Sequence, residues 1–168
     1  MVTLYYLNRF FNFFEKLLKD SSTNEVEVSN EILEFFDKVL DTFEKNTKLL
    51  ASSINDTDKK TILDALGQAG DDYRMQIYNH AFSGRKTKLS FDKLKKFVSL
   101  SKSYLEHSIK ANKRSDNLYH AYNLMTVNSD NTLSISYLSE MLEGQVAVLS
   151  SGYLDGKETL RVLDALKQ

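Results

Sequence analysis

The feature that most constrains this chain is a residue it lacks: none of its 168 positions is proline. Average usage near 5% would put roughly eight prolines in a chain of this length. Proline breaks helix interiors and pre-forms tight turns, so its absence favours long helices joined by short polar turns. Cysteine is absent too. That excludes a disulfide framework, a thiolate nucleophile and thiolate metal sites, and it fits a reducing compartment. Apolar residues make up 42% and charged residues 27%, with a net charge of −1. This balance suits one domain with a real core. It supplies no global field to recruit nucleic acid or an anionic membrane. No apolar run approaches the ~18 residues of a membrane span. The first segment, interrupted by Asn8, Arg9, Asn12, Glu15 and Lys16, is not a signal peptide. The chain reads as cytoplasmic.

Hydrophobic spacing places the helices. Leu4, Leu7, Phe10, Phe11, Phe14, Leu17 and Leu18 follow the i, i+3, i+4, i+7 template and predict a helix over 3–19. Tyr5, Tyr6 and Phe13 widen that stripe beyond what one partner helix covers. They are therefore the candidate protein-contact residues, against the remainder of a longer polypeptide or a second copy. Residues 20–28 form a polar loop in which Val26 and Val28 alternate with acids, and a short extended piece there has no visible strand to pair with. Further helices are expected over 30–54 after a Ser29 N-cap, over 58–82 with Gly67 and Gly70 tolerated, and over 91–111 after a Ser90 cap. Others follow over 117–127 and 135–150, with a last one opened by Asp155 and Glu158 as a capping-box-like pair. The basic stretch 83–89 and the hydrophilic stretch 128–132 are connectors. Phe11, Phe14, Phe36, Leu40, Leu66, Phe97, Leu142 and Val146 form the expected core. The fold class is all-α, with six or seven helices in an antiparallel helical bundle or paired-helix (α/α) array. With a first helix beginning almost at Met1 and a last one running to Gln168 without a stop signal, 1–168 is expected to be a single helical domain, a fragment of a longer polypeptide.

Few constellations point to chemistry. Asp116, His120 and Asn123 lie at i, i+4, i+7, a spacing that can ligate a metal. They lack a further ligand, and Asn is a poor one, so His120 is read as an ordinary hydrogen-bonding residue and no metal is assigned. Glu140 and Glu143, at i, i+3, share one side of one helix, whereas a general acid/base pair faces across a substrate from different elements. Gly144 in mid-helix points to close packing. There is no GxSxG elbow and no phosphate-binding glycine loop. No catalytic residue and no cofactor are assigned. The residues where a ligand could be met are Tyr119, His120, Asn123, Glu143 and Gln145, which sit among apolar neighbours dense enough to bury them.

Three stretches carry a family resemblance: LYHAYNLM over 118–125, ISYLSEMLEGQVAVLSSGYL over 135–154 and ETLRVLDAL over 158–166. They resemble a helical segment of large, poorly characterised bacterial proteins described as cellobiose-phosphorylase-like. The resemblance covers about the last fifty residues and implies a helical piece of a carbohydrate-related protein. The expected function is thus a non-catalytic structural or interaction domain of a larger bacterial protein. The alternative is part of a carbohydrate-active, glycoside phosphorylase- or hydrolase-like enzyme that contributes substrate contacts.

Overall fold

The computed structural model describes residues 1–167. Among them are six α-helices, one short 3-10 helix and four five-residue strands. The fold is mostly α, but it is not all-α. The helices are α1 (Val2–Asp20), α2 (Asn30–Lys45), α3 (Asp56–His80), α4 (Phe91–Ala111), α5 (Leu142–Ser150) and α6 (Gly156–Ala165). The strands are β1 (Glu25–Ser29), β2 (Lys86–Ser90), β3 (Asn123–Val127) and β4 (Leu133–Tyr137), paired antiparallel as β1–β2 and β3–β4.

The first 111 residues are built twice. Each half is a helix, a five-residue strand and a second helix: α1–β1–α2, then α3–β2–α4. The strand pair is centred on Glu27 opposite Lys88, two residues 61 positions apart, with Val26 facing Leu89 and Val28 facing Thr87 on either side. The same offset relates the flanking hydrogen bonds. The Asn30 N–H donates to the Arg85 carbonyl at 3.1 Å, and the Phe91 N–H donates to the Asn24 carbonyl at 2.8 Å. Ser29 and Ser90 both end a strand and cap the next helix, accepting from the Ile32 and Lys93 N–H groups. Where α2 meets α4, equivalent rings meet each other, Phe36 on Phe97 at 4.8 Å and Phe43 on Tyr104 at 4.7 Å between centroids. The outer helices cross over, α1 packing on α4 and α3 on α2. This is a local two-fold relation between two copies of one motif.

The β1–β2 pair corrects the expectation of two loops. Val26 and Val28 find their partner in the basic stretch, and acid meets base across the ladder, with Lys88 paired to Glu25. The helix expected over 30–54 ends at Lys45 and resumes as the 3-10 helix Thr47–Ala51. The Asn46 and Thr47 side chains take the Thr42 and Phe43 carbonyls there, competing with the backbone ladder. Gly67 and Gly70 are tolerated within a continuous α3.

The helix expected over 117–127 is absent. Residues 112–122 run irregularly, and β3 and β4 form a hairpin across the hydrophilic turn 128–132. The helix expected over 135–150 is shortened to α5 for the same reason. The Asp155 cap is as expected, accepting from the Glu158 N–H at 2.8 Å. An end at Gln168 lies outside the described residues.

The tightest cluster joins the two parts of the chain. Tyr5 and Ile109, from α1 and α4, pack with Tyr119, Ala147, Val148 and Val162, all essentially buried. Of the expected core, Leu40 is buried, while Phe11, Phe14, Phe36, Leu66 and Phe97 are half-buried. Leu142 and Val146 are not core: they are 65% and 53% exposed. The reason is Gly144. Its missing side chain lets α5 settle against Ala121, so the Gly144–Gln145 and Ala147–Val148 side turns inward and Leu142 and Val146 turn out.

Candidate functional site

The α1 sequence carries two apolar faces. One is inward: Tyr5, Asn8 and Leu18 are buried, with Leu4, Phe11 and Phe14 half-buried. The other is outward: Tyr6, Phe10, Phe13 and Leu17, spaced 4-3-4 along one stripe, are 47%, 50%, 58% and 50% exposed. Tyr6 and Phe13 thus lie where a contact residue must. Tyr5 does not, being fully buried with its ring edge-on to Tyr119 at 6.5 Å, so it is core and no contact residue. Burial, then the neighbouring Tyr119, raises its phenol well above the ordinary range.

Alongside this stripe lies α5. Val2 and Tyr6 share a groove of about 410 Å³ with Tyr122, Leu142, Glu143 and Val146. Further along α1, a wider depression of about 600 Å³ runs from Arg9, Phe13 and Lys16 to Ser150 and Gly152. The two helices therefore run in the same direction. The face they share is mostly apolar beside Tyr6, Leu142 and Val146, where Glu143 lies, and is polar further along, where Arg9, Asn12, Lys16 and Lys19 outweigh the one carboxylate of Glu15.

Four of the five ligand-contact candidates face elsewhere. Gln145 is buried and clamps the backbone of Tyr119 at both ends. Its Oε1 accepts from the Tyr119 N–H at 2.9 Å, and its Nε2 donates to the Tyr119 carbonyl at 2.7 Å. Tyr119 is itself buried, which, with Glu158 nearby, pushes its phenol up to about 12. This pair holds the irregular segment onto α5. The segment's backbone donors and acceptors would otherwise be buried unpaired. Asn123 opens β3 with its side-chain carbonyl buried and unbonded to protein.

His120 belongs to a separate cluster. Its ring stacks on Tyr137 at 3.8 Å. Beside it, Arg114 is paired with Asp116 at 2.7 Å and also with Glu140. Burial first, then the Arg114 cation, lowers the histidine's affinity for a proton, against the opposing pull of Asp116 and Glu140. Glu143 alone of the five lines the α1/α5 groove, two positions and about half a turn from Gln145. The five do not line one cleft. Among the described residues, no three His, Asp or Glu side chains converge as metal ligands would.

Sequence reasoning missed Leu142 and Val146 as surface residues. The signal was available: a buried glycine–glutamine face fixes the opposite face of a short helix outward. Compared with protein-family models and with curated proteins, the chain matches none.

Proposed function

We propose that this chain is a non-catalytic interaction domain, a paired-helix array whose working surface is the apolar face shared by α1 and α5. One observation supports this reading above the others. In the second copy of the motif, α3 does the packing work of α1 without a matching apolar stripe along its length, its exposed apolar residues Met75 and Tyr78 lying toward its C-terminal end. Adding the 61-position offset to Tyr6, Phe10, Phe13 and Leu17 gives Gly67, Asp71, Arg74 and Tyr78. Three of those four are small or charged, so the motif does not need large apolar residues there. A contiguous exposed apolar stripe is a feature that proteins avoid unless something covers it. Within the setting implied by the resemblance over 118–166, the domain would belong to a carbohydrate-related protein and serve there as scaffold.

The reading is tested with a Tyr6→Glu/Phe13→Glu variant. At high dilution, where any self-association is lost, it should keep the wild-type helical signal, with stability within about 0.5 kcal/mol, and should lose binding of an apolar fluorescent dye. A variant that unfolds would place those rings in the core and end the proposal. A panel of disaccharides, with and without inorganic phosphate, should give no turnover. Turnover abolished by Glu143→Gln would favour the carbohydrate-active alternative.

A further inference from the structure

We propose that the α1/α5 face is covered by a second copy of this chain, set antiparallel about a two-fold axis through the middle of α1; this rests on the interaction-surface reading above. Two independent features of the face make it complementary to itself. The first is spacing. Tyr6, Phe10, Phe13 and Leu17 are separated by four, three and four residues, a pattern that reads the same in both directions. Laid antiparallel on its own copy, the stripe sets Tyr6 against the partner's Leu17 and Phe10 against the partner's Phe13, over a span of about 16 Å. A contact of this kind is isologous and closes at two copies.

The second feature is charge. Glu143 stands at the end of the groove formed by Val2 and Tyr6, and Lys16 stands at the other end, beside Ser150 and Gly152. Lys16 has no ion-pair partner among the described residues, whereas Glu15 is already held by Lys102 and Lys19. An antiparallel copy brings each Glu143 toward the partner's Lys16. A parallel copy would keep each Glu143 at the same end as the partner's Glu143 and far from the partner's Lys16, so that arrangement lacks the pairing. Apolar spacing and end charges therefore select the same orientation.

The native chain contains no cysteine, so engineered thiols report the contact without background. Tyr6→Cys and Leu17→Cys variants, distinguished by a tag on one, are mixed and gently oxidised. The mixed Tyr6→Cys/Leu17→Cys disulfide should dominate over either like-with-like product. Sedimentation of the wild type should show dimers at ~10 µM. Lys16→Glu should weaken the dimer by about tenfold, and adding Glu143→Lys to it should restore association. A wild type that stays monomeric at ~500 µM, or a dominant Tyr6→Cys homodisulfide, would overturn the proposal. If the wild type is monomeric while Tyr6→Glu/Phe13→Glu folds normally, the second copy is excluded and the surface belongs to a different partner. If that double variant unfolds, the interaction surface falls as well.

Discussion

Where α1 carries Phe10, α3 carries Asp71, and where α1 carries Phe13, α3 carries Arg74; those two polar side chains pair with each other at 3.2 Å. The inward faces of the two helices are much more alike. Tyr5 corresponds to Leu66, and Asn8 to Ala69, each at least half-buried. Both halves meet the same demand, which is to bury one stripe against the partner half's second helix, and they diverge where that demand ends. The C-terminal third adds a further asymmetry. It lays α5 along α1, with Gly144 in contact with Ala121, while α3 is met by the hairpin through β4. The difference teaches that the outer rings of α1 answer to something other than the motif.

The largest effect should separate the two faces of α1. Tyr5→Ala should cost roughly 3–5 kcal/mol in urea unfolding, as for other fully buried rings. Its neighbour Tyr6→Ala should change the stability of the monomer by less than about 0.5 kcal/mol. Equal losses would mean that the faces are not distinct.

The next contrast uses two helical glycines. A Cβ at Gly144 would meet Ala121 Cβ at 2.9 Å and its Cα at 3.0 Å, whereas a Cβ at Gly67 would meet nothing within 4 Å. Gly144→Ala should therefore destabilise by about 1–3 kcal/mol. Gly67→Ala should stabilise by up to ~1 kcal/mol through helix propensity. Thermal melts of the two variants would break the comparison if both moved in the same direction.

A smaller effect is pH dependence on the α5 side. The folded state lowers the His120 pKa from its ordinary 6.5, so the unfolded chain binds the proton more readily. The resulting loss of stability is absent above about pH 6.5 and grows as pH falls through the folded value, then levels off. Carboxylates held down by their cations, such as Glu15 and Glu158, act at lower pH, below the ordinary 4.5. Stability measured from pH 7 to 5 should decline in the wild type and stay flatter in His120→Gln. An unchanged slope in that variant would refute the assignment.

Much of this architecture was legible. Helical spacing located α1, α3 and α4 nearly to their ends, and Ser29, Ser90 and Asp155 announced their caps. Gly144 announced close packing. The strands were harder to read because five residues hold too little periodicity to outvote a neighbouring helix, and β1 pairs across 61 positions of chain. The clue was chemical: an acidic EVEV and a basic KTKL, each followed by a capping serine. The duplication was equally veiled, since Ser29, Leu33 and Phe36 recur as Ser90, Leu94 and Phe97 while most positions between them change. In the C-terminal third, Leu138, Leu142 and Val146 fitted a helical stripe, yet the β-branched residues around the turn 128–132 favoured the hairpin. Of the candidate residues, Tyr6, Phe13 and Glu143 were found on the groove, whereas Tyr119 and Gln145 drew notice because they were buried polar groups, and their partners turned out to be each other.

The central claim is that the outer stripe of α1 serves association and not the fold. It is tested most directly by giving α1 the residues that α3 already carries, Phe10→Asp with Phe13→Arg, and following urea unfolding across protein concentration beside the wild type. The wild-type midpoint should rise with concentration, as mass action requires of a dimer. The variant's midpoint should not, and at the lowest concentration the two stabilities should agree within about 0.5 kcal/mol. A variant that is several kcal/mol less stable at every concentration, by the roughly 2–5 kcal/mol of a lost core ring, would contradict the account.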